Sequence, residues 1–273
     1  MPRFVVSLVG IALLLVAAPR LANAGPCVAD TMANYVALNA AMPPGCTVED
    51  KIFRKYFYNS EVLVNGIPLK DPTTGMVLVA PPPDMVQVAP IQAPNPPPIS
   101  YNPGLEFSST FWSLTGALTP NTTILATIDY IVEVPAGKPL IKDASLILRG
   151  NATNGGVIKD EETVFSTLTV PMSNILTATC GAAVACNNAN LNKDVVLSKP
   201  VNLVEVHNVL TISCNANANC TALVSGLENR FSEVMPAPEP SSLALLGVGL
   251  SGVFMLARRG RRGGGAAPPV ASA

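Results

Sequence analysis

Hydrophobic and polar residues alternate with a period of two along most of this chain. Residues 124–134 place apolar side chains at every second position, and residues 164–170 and 204–212 repeat that alternation. Successive side chains of a β-strand point to opposite faces, so each segment is predicted to be a strand with one buried face. Shorter strands are predicted at 52–58, 76–80, 105–108, 145–149 and 195–197. Turn residues separate several of them, and the pattern predicts an all-β fold, an antiparallel, jelly-roll-like β-sandwich.

The N-terminal part of the exported chain shows a different spacing. Apolar residues recur every three or four positions between Cys27 and Cys46, until Pro43-Pro44-Gly45 ends the pattern. This spacing predicts a short amphipathic N-terminal helix, with Asn39 as a polar interruption of its apolar stripe. The stripe consists of Val28, Met32, Tyr35, Leu38 and Met42.

Prolines are concentrated in residues 68–103, which contain 11 of the 26 in the chain. Apart from the strand at 76–80, we expect a long surface loop of polyproline type there. The loop is an alternative boundary between two domains. We favour a single domain, because the roughly 50 residues before the loop are near the lower limit for an independent fold.

The first 24 residues have the three parts of a signal peptide. Arg3 precedes the apolar residues 4–18, and Ala22 and Ala24 stand three and one residues before Gly25. This arrangement predicts cleavage before Gly25 and export of the remaining chain. An uncleaved membrane anchor is the alternative.

A second apolar run lies near the C-terminus, and a cluster of arginines follows it directly. Residues 241–257 would span about 26 Å as a helix, close to the thickness of a hydrocarbon core. The run is predicted to cross the membrane with its basic end inside, leaving 25–235 outside and the tail 263–273 cytoplasmic. A buried core helix is the alternative. The arginines are Arg258, Arg259, Arg261 and Arg262.

The tripeptide Pro238-Glu239-Pro240 stands just before this apolar run. Proline has no backbone N–H and restricts its predecessor, so the segment is predicted to be extended and open to a protease. Tripeptide, helix and arginines, in that order over residues 236–262, resemble the PEP-CTERM sorting signal of Gram-negative bacteria. The resemblance implies a precursor tethered in the inner membrane and cut by an exosortase-type membrane protease. It also implies delivery to the cell surface or to the exopolysaccharide matrix of a biofilm.

A second segment is similar to the opening of many exported PEP-CTERM proteins. Residues 32–60 place a short helix with a tyrosine before a Gly-Cys pair and a strand of the type Asp-Lys-x-Phe-x-x-Phe-x-Tyr. This likeness implies the same compartment and no particular reaction. The matching residues are Tyr35, Gly45, Cys46, Asp50, Lys51, Phe53 and Tyr58.

Charge and cysteine content agree with export. Residues 25–235 carry 17 acidic and 11 basic side chains, a net charge of −6, which argues against nucleic acid as a partner. Six cysteines in an oxidising compartment predict three disulfides. If disulfides close two local loops, Cys180 to Cys186 and Cys214 to Cys220, then Cys27 would pair with Cys46. Cross-pairing of the two later loops is the alternative, and the spacing suits metal ligation poorly.

Few residues suggest chemistry. Glu205 and His207 point the same way on a predicted strand, and a general base of a secreted hydrolase is one interpretation of them. Residues 159–162 lack the regular spacing of a calcium loop, so a solvated turn is expected there. No metal or cofactor is expected. The hypothesis that fits best is a non-catalytic structural or adhesive protein.

A carbohydrate-binding module is the alternative function. Sugar rings stack on exposed aromatic side chains, and the chain has several within or near its predicted strands. Within strands, however, aromatic residues are more often part of the core. The candidates for such a platform are Tyr56, Phe57, Tyr58, Phe111 and Trp112.

Overall fold

The computed structural model describes residues 24–78, 80–92, 102–115, 121–166, 172–181, 184–215 and 219–234. All of them belong to a unit that ends at Val234. The predicted membrane span 241–257, the Pro-Glu-Pro tripeptide, the arginine cluster and the tail lie outside the described residues. So does the predicted signal peptide up to residue 23.

Strands account for most of the described chain. They are β1 (Asp30–Thr31), β2 (Cys46–Val48), β3 (Lys51–Val64), β4 (Ile67–Pro68), β5 (Gln87–Ile91), β6 (Gly104–Ser108), β7 (Ser113–Thr115), β8 (Thr122–Glu133), β9 (Leu140–Thr153), β10 (Gly156–Ser166), β11 (Met172–Gly181), β12 (Asn192–Val201), β13 (Leu203–Cys214) and β14 (Thr221–Val234). The α-helices are α1 (Met32–Ala37) and α2 (Asn188–Leu191), and single 3₁₀ turns lie at Leu38–Ala40 and Pro83–Met85.

The strands form two antiparallel sheets of seven strands each. Sheet one has the order β1-β5-β6-β14-β9-β12, with β7 pairing to β14. Sheet two has the order β11-β10-β13-β8-β3-β2, with β4 pairing to β3. Side chains of both sheets meet in one hydrophobic core. The predicted antiparallel β-sandwich is therefore confirmed.

Aromatic rings from both sheets fill the centre of this core. Phe53 on β3 lies 6.1 Å from Tyr130 on β8 and 6.2 Å from Phe231 on β14, measured between ring centroids. Phe107 on β6 lies 5.8 Å from Tyr130. These contacts join the two sheets, and ring separations of this size add to the stability gained from apolar burial.

The N-terminal helix is shorter than its apolar stripe suggests. Thr31 caps α1, and Met32 and Tyr35 pack into the core, whereas Val28 and Met42 lie outside the helix and are exposed. Asn39 explains the interruption of the stripe. Its side-chain amide donates to the carbonyl of Tyr56, and its side-chain oxygen accepts from the N–H of Tyr56, at 2.7 and 2.9 Å.

The proline-rich segment is not a single loop. Strand β5 lies within it and pairs with β1 and β6, because Val86 and Val88 insert into the core. The strand predicted at 76–80 is wrong over the residues described there, where one isolated bridge joins Lys70 to Val77. Because residues 81–98 are rich in proline, the pattern favoured a loop there, and β5 was not predicted.

Candidate functional site

The outer face of sheet two, the face turned away from the core, carries exposed aromatic and charged side chains. Antiparallel partners directly opposite each other share a face. The pairing of β3, β8, β13 and β10 therefore places Phe57, Asp129, His207 and Thr163 side by side in one row. Arg54, Ile131, Glu205 and Phe165 form the neighbouring row. We call these two rows the outer-face rows.

A bulge in β3 gives Phe57 its orientation. The register between β3 and β8 shifts between Arg54 and Phe57, and Lys55 within the bulge has a positive φ of 58°. A bulge re-aims the side chains beside it. Tyr56 consequently turns into the core, while Phe57 turns outward and is 51% exposed.

Polar groups lie between the two phenylalanines of the outer-face rows. Nδ1 of His207 lies 2.5 Å from Oδ1 of Asp129, and both side chains are half-exposed. Arg54 donates to Oε2 of Glu133 from Nε, at 2.8 Å, and from Nη2, at 2.6 Å. Glu205 is exposed, and Ile131 is covered beneath these groups. The surface thus offers hydrogen-bonding groups beside exposed rings.

Glu205 and His207 do share a face, as their spacing predicts. The hydrogen-bond partner of His207 is nevertheless Asp129, on the neighbouring strand β8. His207 is therefore paired with Asp129, and not with Glu205 as the hydrolase interpretation proposes. Alternation within one strand revealed the common face, while the cross-strand partner depends on a register that the sequence does not display.

Only part of the predicted aromatic platform is available to a ligand. Trp112 and Tyr56 are buried in the core, and the hydroxyl of the half-buried Tyr58 donates to the carbonyl of Pro81. Phe57 and Phe111 are exposed, as is Phe165, which the sequence did not single out. A platform that uses Trp112 is therefore wrong.

Phe111 belongs to a separate groove on sheet one. This groove has a volume of about 570 Å³ and lies beside β6 and β14. Met85 and Leu223 contribute apolar lining, and Gln87 contributes an amide. The groove is a second location where a ring stands next to polar groups.

A polar cluster lies inside the sandwich. Asp160 and Glu162 point from β10 into the core, and Asn208 and Asn229 lie there with them, fully buried. The Asn229 amide donates to Oε2 of Glu162 at 2.6 Å, and Asn208 and Asn229 are hydrogen-bonded to each other. Neither carboxyl oxygen of Asp160 has a hydrogen-bond partner among the described residues. The solvated turn expected at 159–162 is wrong, because these residues belong to β10.

Burial controls the protonation of these two acids. The pKa of Asp160 is raised to about 8, mainly by loss of hydration and to a smaller extent by the charge of Glu161. Loss of hydration likewise raises the pKa of Glu162 to about 8, with a smaller contribution from Asp160. Both side chains are therefore largely protonated at neutral pH, which lowers the cost of burying them.

A buried lysine connects the first long strand to the last. Lys51 on β3 is fully buried, and its Nζ contacts Glu233 on β14 and lies 3.3 Å from Oδ1 of Asp50. Loss of hydration lowers the pKa of Lys51, opposed by the charge of Asp50. Asp50 and Lys51 belong to the segment that resembles other exported proteins, and their position gives them a structural role at the end of the sandwich.

All six cysteines pair as the local-loop interpretation predicts. Disulfides join Cys27 to Cys46, Cys180 to Cys186, and Cys214 to Cys220. The first fixes the segment before α1 to β2, and the other two close loops at strand ends. The cross-pairing alternative is wrong.

Two features are absent from the described part of the chain. No group of three or more His, Cys, Asp or Glu side chains there is arranged to hold a metal ion. None of the described helices is long and apolar enough to cross a membrane.

The C-terminal segment matches a known sequence motif. Residues 236–262 match the PEP-CTERM protein-sorting motif. This confirms the resemblance drawn from the tripeptide, the apolar run and the arginines. A PEP-CTERM signal implies an exported protein that is held in the membrane until an exosortase-type protease processes it.

The chain as a whole resembles known proteins only distantly. No curated protein matches the sequence. Among solved structures, a family 61 carbohydrate-binding module in complex with β-1,4-galactotriose is similar at 10% identity, with a TM-score of 0.26, over 54% of this chain and 83% of that one. The Clostridium thermocellum family 11 carbohydrate-binding module, in complex with a β-1,3-1,4-mixed-linked tetrasaccharide, has 10% identity and a TM-score of 0.20, over 70% and 93%.

Proposed function

We propose that this chain is a non-catalytic protein of the cell surface or exopolysaccharide matrix, delivered there by exosortase-type cleavage at Pro238-Glu239-Pro240. One observation carries the proposal. The last strand of the described residues, β14, ends at Val234, and the match to the sorting motif begins at residue 236. A cut near the tripeptide would therefore remove the signal and leave every described strand in place.

The structure near the cut supports this division. Strand β14 lies between β6 and β9 in sheet one; β6 pairs with residues 227–230, and the pairing with β9 continues to Val234. Glu233, next to its last residue, contacts the buried Lys51 of sheet two. A strand held in this way should not fray when the chain beyond it is removed.

The delivery step is tested by changing the tripeptide in the native host. We expect replacement of Pro238, Glu239 and Pro240 by alanine to retain the protein in the membrane fraction with its C-terminal run intact. Pro268→Ala is the control, because it removes a proline that lies outside the matched sorting motif. Normal release of the triple variant would contradict the proposal, as would retention of the control.

A second candidate function is carbohydrate binding, and one observation favours it. Phe57 and Phe165 are large apolar rings exposed on one sheet face among polar groups. Exposed rings of this kind are suited to stacking on sugars. A structural role in the matrix and binding to its polysaccharide are compatible, because binding would hold the released protein in place.

A further inference from the structure

We propose that the outer-face rows of sheet two form the binding site for an uncharged polysaccharide, which lies across the strands from Phe57 to Phe165. The proposal rests on the extracellular role proposed above, since it supplies the contact by which the released protein would remain in the matrix. It assigns a site and a ligand class to the second candidate function.

The separation of the two rings favours a polymer over a single sugar. Phe57 lies on β3 and Phe165 on β10, with β8 and β13 between them. Three steps between neighbouring strands amount to about 14 Å. Because the rings also lie in adjacent rows, a ligand that contacts both must extend over several sugar units.

The groups between the rings match the chemistry of a sugar chain. A pyranose ring has an apolar face of C–H groups, which stacks on an aromatic ring, and a rim of hydroxyls. Carboxylates accept hydrogen bonds from hydroxyls, and the exposed Glu205 and the half-exposed Asp129 lie between the two phenylalanines. His207 stands beside Asp129 in the same row and adds ring nitrogens to this polar strip.

The charges in the outer-face rows favour an uncharged polysaccharide over an anionic one. The outer-face rows and their edge hold the carboxylates of Asp129, Glu133 and Glu205, whereas the one guanidinium in the rows, Arg54, is engaged by Glu133. Like charges brought together at an interface are unfavourable. The three carboxylates outnumber the two cations, Arg54 and the exposed Lys55 of the neighbouring bulge, so an anionic polymer would meet net repulsion. The site therefore fits an uncharged chain.

The same composition disfavours a protein partner. The central part of a protein interface is depleted in charged residues. Here two rings are separated by carboxylates and an imidazole, so no continuous apolar patch covers the rows. Hydroxyl-rich polymers tolerate this alternation, because each sugar presents both an apolar face and hydroxyls.

The groove at Phe111 is the competing location, and it supplies a matched control. Phe111 is 52% exposed, nearly the same as Phe57 at 51%, but it lies beside sheet one. Phe111→Ala removes an equally exposed ring from the other sheet. The two substitutions therefore differ chiefly in which surface they change.

The test uses the protein recovered from the surface or medium of the native host, with both ends fixed by intact mass. Affinity electrophoresis would measure binding to four uncharged polysaccharides, namely mannan, xyloglucan, galactan and mixed-linked β-glucan, and to the anionic polymer alginate. We expect binding to at least one uncharged polymer and none to alginate. Phe57→Ala and Phe165→Ala should each raise the dissociation constant about tenfold, and Phe111→Ala should leave it unchanged.

Three results would overturn the proposal: no binding to any of the uncharged polymers, binding to alginate alone, or a loss with Phe111→Ala equal to that with Phe57→Ala. Thermal unfolding of each variant checks that the fold is kept, as expected for exposed positions. A protein with the predicted ends that binds none of the polymers would refute only the binding site. Binding by a protein that keeps its C-terminal run would refute only the delivery step.

Discussion

Glu162 on β10 accepts a hydrogen bond of 2.6 Å from the side-chain amide of Asn229 on β14. Because the two strands belong to opposite sheets, this bond crosses the interior of the sandwich. Both residues are fully buried, and Asn208 of β13 is hydrogen-bonded to Asn229 beside them. The protein thus keeps a polar contact between its sheets in a core that is otherwise mainly apolar.

Stability should fall as pH rises through the neutral range. In the unfolded chain, Asp160 and Glu162 lose their protons near their ordinary pKa values of 3.8 and 4.5, whereas in the fold each pKa is about 8. Between these values the native state binds more protons than the unfolded state, so the free energy of unfolding declines with pH. The loss begins above about pH 4 and is complete once both groups have ionised, above about pH 8.

Urea unfolding at pH 5 and pH 8 measures this effect. The free energy of unfolding should be lower at pH 8, and Glu162→Gln should flatten the difference. Glu205→Gln is the control, because its carboxylate is exposed on the outer face of β13 and should not change the slope. Stability that is constant or rises between the two pH values would show that the buried acids are not protonated in the fold.

Substitution of Asn229 should destabilise the sandwich from within. Asn229→Leu removes the donor to Glu162 and the partner of Asn208, leaving both polar side chains buried without that contact. Each such loss costs about 1–3 kcal/mol. Chemical denaturation would detect the change, with the exposed Asn59→Ala as a control expected to alter stability by less than about 0.5 kcal/mol. An Asn229→Leu protein as stable as the wild type would show that the network is not required.

Lys51 should matter more than an exposed lysine. Lys51→Met removes the cation between Asp50 and Glu233, leaving their two carboxylates near each other at the end of the sandwich. Since Glu233 is partly exposed, we expect a loss of about 1–3 kcal/mol, below the usual cost of breaking a fully buried pair. The control Lys159→Met removes an exposed partner of Glu161 and should cost less than about 1 kcal/mol. Equal effects of the two substitutions, measured by thermal unfolding, would contradict this role for Lys51.

Trp112 is expected to affect folding rather than binding. It is fully buried, so Trp112→Ala should cost about 3–5 kcal/mol through loss of contacts and creation of a cavity. Calorimetry would show a large fall in melting temperature. A variant that melts like the wild type would place Trp112 outside the core.

Strands whose apolar and polar residues alternate were predictable. Strands with ionisable residues at inward-facing positions were not. Residues 124–134 alternate without interruption and correspond to β8. In β10 the acids Asp160 and Glu162 occupy inward positions, so the segment resembled a polar turn. The apolar Ile158 and Val164 lie on the same face as these two acids, an even number of residues away. This spacing was the signal that identifies the strand. β14 was missed for a similar reason, since it carries Glu228, Asn229 and Arg230 in sequence.

The candidate site was predictable only in part. Aromatic content suggested a sugar platform, but it could not separate Phe57, which is exposed, from Tyr56 and Trp112, which are buried. For Tyr56 and Phe57 the distinction depends on the bulge at Lys55, which changes the side of β3 on which each residue lies. Phe165 is brought into the neighbouring row by strand pairing over a long sequence separation. The local pattern of hydrophobic and polar residues does not reveal which distant strands pair with each other.

The intact mass of the protein recovered from the host's membrane, surface and medium tests the central claim most directly. We predict a mature species that begins at Gly25, ends near Pro238–Pro240 and retains three disulfides. A species that still contains residues 243–262 wherever it is found would contradict exosortase-type delivery. It would instead indicate a permanently membrane-anchored protein.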